Sequence, residues 1–135
     1  MDHNLFSFAP AHKPELMNPL ALAYVGDAVY DLFVRQYVAS KPNHRPHHLH
    51  LETTQYVSAK AQAKALELLQ PLLTDEELNM VRRGRNAKSG SVPKNTDVIV
   101  YRHSTAFECL LGYLYYQHNF ARLQELMLQT IPQQD

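Results

Sequence analysis

A chain of 135 residues is one domain's worth of sequence and is long enough to bury a hydrophobic core. Apolar residues make up 45% and charged residues 19%, a globular balance that excludes a disordered chain. Thirteen Lys and Arg offset thirteen Asp and Glu, so no overall positive field exists, and any nucleic-acid surface has to come from local segregation of charge.

The first fourteen residues carry Asp2, His3 and His12 and no sustained apolar run, which does not fit a secretory leader. Residues 1–17 are expected to form an N-terminal extension to a single domain covering 18–135. Asn18 followed by Pro19 predicts a capped helix start, with the helix running to about residue 38. Its apolar stretch, 20–34, is too short for a membrane span and is interrupted by Gly26, Asp27 and Asp31. Residues 41–50, rich in Pro and His, are expected to connect this helix to a second long one over 51–69, with at most a short helical turn between. In that second helix Val57, Ala61, Ala65, Leu68 and Leu69 are expected to face inward. Thr74 and Glu77 form a capping box for a helix ending near Gly84, and a basic loop follows over 85–95. The stretch 97–118 contains the next helix. Residues 98–101 have strand propensity, but a lone strand would have no partner. Residues 119–131 close the chain as an amphipathic helix with Leu123, Leu126 and Met127 inward. The fold class is all-α.

Two acids stand out because they interrupt apolar helices. Leu20, Leu22, Val25, Ala28, Val29, Leu32 and Phe33 surround Asp27, which suggests a helix buried on most sides. Gly26 precedes Asp27, and a glycine inside a helix costs about 1 kcal/mol against alanine, so it usually marks close backbone approach. Glu108 lies likewise among Phe107, Leu110, Leu111 and Leu114, with Gly112 one turn later. Neither acid has a basic residue three or four positions away, whereas Asp31 has Arg35. A buried carboxylate without a partner is costly and requires a distant cation, a cap or a metal ion. A hard divalent ion takes such oxygen ligands and promotes phosphodiester hydrolysis.

The segment Leu22-Ala-Tyr-Val-Gly-Asp-Ala-Val29 resembles the signature helix of the ribonuclease III catalytic domain, and Thr105-Ala-Phe-Glu-Cys-Leu-Leu-Gly112 resembles that family's second metal-binding helix. Within the family the chain is similar to the Mini-ribonuclease III group, bacterial enzymes made of the catalytic domain alone. The likeness includes the chain length, Arg82-Arg-Gly-Arg-Asn86 and Tyr101-Arg-His103. It implies a dimeric helical bundle that cleaves double-stranded RNA with Mg2+, or Mn2+ in its place. The implied products carry 5′-phosphate and 3′-hydroxyl ends, and the implied substrate is precursor large-subunit (23S) ribosomal RNA. Asp27 and Glu108 match the family's catalytic, metal-holding carboxylates. Larger relatives carry further acids where this chain has Leu20, Ala23 and Thr105, a reduction shared by the Mini group.

Arg82, Arg83, Arg85, Asn86, Lys88 and Lys94 are the expected RNA-binding residues, since cations interleaved with amides can contact phosphates and 2′-hydroxyls. His44, His47, His48 and His50 lack the ordered spacing of a zinc site and suit solvent or an RNA-facing role. Cys109, the single cysteine, excludes an intrachain disulfide and reads as a small buried hydrophobe in a reducing compartment. Tyr113, Tyr115 and Tyr116 are expected in the core or at a dimer interface. The reading is a cytoplasmic homodimeric endoribonuclease with no membrane association. Its rival is a non-catalytic RNA-binding or scaffold protein of the same fold. A nucleotide phosphohydrolase would need more ligands or a phosphate-cradling glycine loop.

Overall fold

A computed structural model describes residues 6–88 and 92–132, and among them every regular element is helical. After a single 3-10 turn at Pro14–Leu16 come α1 (Pro19–Ala39), α2 (Pro46–Val57), α3 (Ala59–Leu69), α4 (Asp75–Asn86), α5 (Val98–Tyr116) and α6 (Phe120–Leu128). A second 3-10 turn, Gln70–Leu72, links α3 to α4. The caps explain most of these starts. The Asn18 side chain accepts from the Leu20 amide at 2.8 Å with Pro19 in the first turn. Thr74 and Glu77 form the expected reciprocal box. Asp97 accepts from the Ile99 and Val100 amides at 2.8 and 3.2 Å, so the β-branched run after it begins a helix instead of a strand.

Four expectations need correction. The second long helix is two helices, because Ser58 takes an extended conformation (φ −63°, ψ 154°) and its hydroxyl caps the Ala61 amide. The first of these starts early, with Pro46 in its first turn, so His47, His48 and His50 are helical. The inward stripe of α3 is Gln62, Ala65, Leu66 and Leu69, while Leu68 faces solvent at 57% exposure. Finally, α4 runs past Gly84 to Asn86, which shortens the basic loop.

Helix α5 is the axis of the molecule: α1, α3 and α4 pack round it, α6 folds back on it, and α2 leans on α1. Tyr30 and Phe107 meet edge to face with centroids 4.9 Å apart, and the Tyr30 hydroxyl bonds Thr130 beyond α6. Buried Glu77 receives two 2.8 Å bonds from Arg122, which also donates to the Leu72 carbonyl and so ties α6 to the start of α4. The Arg83 guanidinium donates to the carbonyls of Glu15 and Met17 and anchors the N-terminal segment against α4.

Helices α1 and α5 touch backbone to backbone. A Cβ on Gly26 would lie 1.8 Å from the Glu108 carbonyl oxygen, and one on Gly112 would lie 1.9 Å from that of Leu22. Neither clash can be relieved by a side chain turning away, since backbone stands on the other side. Gly112→Ala is therefore expected to lower unfolding free energy by about 3 kcal/mol, the upper end of the overpacking cost. Denaturant unfolding reads this directly, and unchanged stability would mean that the helices do not approach so closely.

Candidate active site

Every residue from Ser104 to Leu114 is buried except Glu108, which is half-buried. On α1 the buried row is Leu22, Gly26, Tyr30, Val34 and Val38, four residues apart, joined by Ala23. This row packs on α5 with the two glycines at the crossing. Asp27, the next residue after Gly26, is rotated by one helical step to the rim and is exposed. The sequence suggested a carboxylate pair buried on both sides. The observed pair is asymmetric, because α1 buries a stripe and leaves Tyr24 and Leu32 82% and 53% exposed. The pair is therefore open to solvent on the Asp27 side.

The two carboxyl groups interact directly. Glu108 titrates at about 9, far above the usual carboxylate range, chiefly because burial penalises its charge and further because Asp27 shares a hydrogen bond and a like charge with it. The amide of Gln62, 2% exposed on α3, faces Glu108 and pulls the other way. Among the described residues no Lys or Arg forms an ion pair with either acid, whereas Asp31, Glu52, Glu77 and Glu125 all have cationic partners. Glu108 therefore holds a proton where positive charge is lacking.

That arrangement fits a hard divalent cation. The donors are carboxylate oxygens, and Glu108 can exchange its proton for the ion without leaving its place in α5. No third acid, His or Cys converges here among the described residues, so water and phosphate would fill the rest of the coordination sphere. Ala23 is packed in the core, Leu20 is half-buried, and the Thr105 hydroxyl donates to the Tyr101 carbonyl. Gln62 escaped the sequence reading because the apolar stripe of α3 was phased through Ala61 and Leu68. In the correct phase it is a polar residue among Ala65, Leu66 and Leu69, and that was its signal.

The remaining sequence candidates are dispersed. Arg82 is exposed and bonds Asn79, Arg83 is occupied by backbone carbonyls, and Arg85 and Asn86 end α4. Lys88 and Lys94 are exposed, while Ser89 and Ser91 lie outside the described residues. His48 pairs with Glu52 at 2.9 Å and His44 contacts the Ala39 carbonyl. Cys109 is fully buried against Gly84, and burial pushes its thiol up to about 12, which makes it a poor nucleophile. Tyr113 is a core residue bonded to Glu76, and Tyr115 stacks edgewise on Tyr116 and Phe120.

The sequence matches the Ribonuclease III domain model over residues 20–119. It is 53% identical over 117 residues to "Mini-ribonuclease 3" of Brevibacillus brevis, with 87% of each chain covered. It is 49% identical over 119 residues to "Mini-ribonuclease 3" of Staphylococcus aureus, covering 87% of this chain and 89% of the relative. The crystal structure of protein FN1578 from Fusobacterium nucleatum superposes with a TM-score of 0.75 at 25% identity, covering 83% of this chain and 89% of that one. The chain belongs to the ribonuclease III domain family, among the Mini-ribonuclease 3 proteins.

Proposed function

We propose that the chain is a magnesium-dependent endoribonuclease that cleaves double-stranded RNA, with Asp27 and Glu108 as its catalytic, cation-holding carboxylates. The observation that carries this reading is the backbone approach at Gly26 and Gly112, which sets Asp27 beside a half-buried Glu108 with no Lys or Arg paired to either among the described residues. Bound there, Mg2+ or Mn2+ supplies an activated water and offsets charge on the phosphoryl and leaving oxygens. Asp27, exposed on the rim of α1, and Glu108, set in the buried run of α5, would hold the ion. Gln62 orients the Glu108 carboxylate from α3. Attack by water instead of by the neighbouring 2′-hydroxyl leaves a 5′-phosphate and a 3′-hydroxyl.

The proposed cellular substrate is precursor 23S ribosomal RNA, as the Mini-ribonuclease III likeness implies, and the proposed compartment is the cytoplasm. No helix among the described residues is long and apolar enough to cross a membrane. Arg82, Arg85, Asn86, Lys88 and Lys94 are proposed to contact RNA. Arg83 is left out because its guanidinium is committed to Glu15 and Met17. The active form is proposed to be a homodimer. Tyr24, Ala28 and Leu32 lie four residues apart as an exposed row on α1, and Asp27 lies beside that row. A two-fold axis there would set two clefts against the two strands of one duplex.

Asp27→Asn is expected to abolish cleavage of a long RNA duplex in Mg2+ while leaving circular dichroism and melting unchanged, since the exposed amide keeps the shape and loses the charge. Cutting by this variant at near the wild-type rate would remove Asp27 from the chemistry, and a wild type that binds duplex without cutting it would favour the scaffold reading. Sedimentation should give about twice the 15.5 kDa chain mass, and Leu32→Glu should shift it toward the monomer. A monomeric wild type at concentrations where both strands are cut would contradict the dimer.

A further inference from the structure

We propose that a basic groove between α3, α4 and α5, lined by Lys60, Lys64, Arg85 and His103, grips the phosphate backbone of duplex RNA away from the carboxylate pair. This rests on the reading of the chain as a duplex-RNA nuclease and adds Lys60, Lys64 and His103, which lie outside the basic stretch at 82–94, to Arg85 within it. The groove has a volume of about 470 Å³ and an apolar floor of Leu66, Val81 and Val100. A low-dielectric floor under converging cations strengthens the local field.

The charges here are free for a ligand. Arg35, Lys41 and Arg122 are each bound to a carboxylate, but among the described residues Lys60, Lys64 and Arg85 form no ion pair. Glu67 also lines the groove, so three positive charges face one negative charge, with the His103 ring beside them. A chain with zero net charge has collected an unpaired positive excess in one concavity. Lys60 and Lys64 are also remote in sequence from Arg85 and His103, and only the packing of α3 and α4 on α5 brings the four together.

Helices α3 and α5 carry residues both of the groove and at the carboxylate pair. Gln62, which faces Glu108, lies on the inward face of α3, and Lys60 and Lys64 project from its outer side. His103 precedes Glu108 on α5 by five residues, roughly 7.5 Å along the axis at 1.5 Å per residue. The groove is therefore a second contact on the same helices, reached by a part of the duplex other than the one held at the carboxylates. The cations face phosphates, and the apolar floor receives the sugar edge. Such contacts add affinity without reading sequence.

The test is Lys60→Ala/Lys64→Ala made in the non-cleaving Asp27→Asn chain, with affinity for a long RNA duplex measured from low to physiological salt. Two lost phosphate contacts should flatten the slope of log K against log salt by about 1.4–1.8, at roughly 0.7–0.9 per contact, and weaken binding at least tenfold. Lys60→Arg/Lys64→Arg should retain the slope. In the cleaving chain the alanine pair should raise KM, with the loss carried there instead of in kcat. Both lysines are exposed, so melting should not move. An unchanged slope and affinity in a parent that binds duplex overturns the groove alone. Weaker binding with an unchanged slope and a lower melting point overturns it too, as a structural effect. A parent with no affinity for duplex RNA, together with a wild type that does not cut it, overturns both the groove and the nuclease reading.

Discussion

The closest approach in this molecule, backbone on backbone where α1 crosses α5, governs most of what surrounds it. Gly26 and Gly112 each face a main-chain carbonyl at a distance that no side chain could occupy. Helices usually pack with axes 8–10 Å apart because side chains interdigitate between them, and removing both Cβ atoms lets these two come nearer. Nearness decides the chemistry, since Asp27 adjoins one glycine and Glu108 lies one turn from the other. Two short acidic side chains on helices at ordinary spacing would not couple as these do. Gly84 repeats the device on the other side of α5, where an added Cβ would lie 2.7 Å from that of Cys109.

Around this crossing the structure sets burial against charge. Glu108 is the one break in an otherwise buried run from Ser104 to Leu114, and solvation alone would not keep it ionised. Asp27 remains at the rim because α1 buries a stripe and not its whole circumference. One acid is held rigidly from behind and the other faces solvent, which suits an ion that must be gripped by protein and still reach a phosphate. Elsewhere some charges are neutralised locally, as in the Glu77–Arg122 pair and the backbone clamp by Arg83. The acids at the crossing, like Lys60, Lys64 and Arg85 on α3 and α4, form no ion pair among the described residues.

Much of this was legible in the sequence, for local reasons. Asn18-Pro19 and Thr74 with Glu77 are capping signals that act within one turn, and both open helices. The glycines announced close approach because a glycine inside an apolar helix is otherwise a loss. What was missed depends on phase or on distant packing. The stop at Ser58 rests on one residue's extended conformation, with no proline or glycine to mark it. The inward face of α3 differs by one residue from the pattern drawn through Ala61 and Leu68, and that shift hid Gln62. Arg83 looked like a phosphate ligand within a basic run, and only the fold brings the Glu15 and Met17 carbonyls to it. The exposure of Asp27 likewise follows from which face of α1 meets α5, which an almost uniformly apolar sequence does not reveal.

The central claim is that the crossing creates one cation site in which Glu108 exchanges a proton for a divalent ion. Titration calorimetry of Mn2+ into the RNA-free protein at pH 7, in buffers of different ionisation enthalpy, tests it without reference to catalysis. Burial and the neighbouring Asp27 push Glu108 up to about 9 in the cation-free protein, and a bound ion would take its ionised form. The account therefore predicts release of about one proton per bound ion at pH 7. That release should fade as the pH rises through 9, and Glu108→Gln should abolish both it and the binding. Binding with no proton release at pH 7, or binding of wild-type strength in Glu108→Gln, would contradict it.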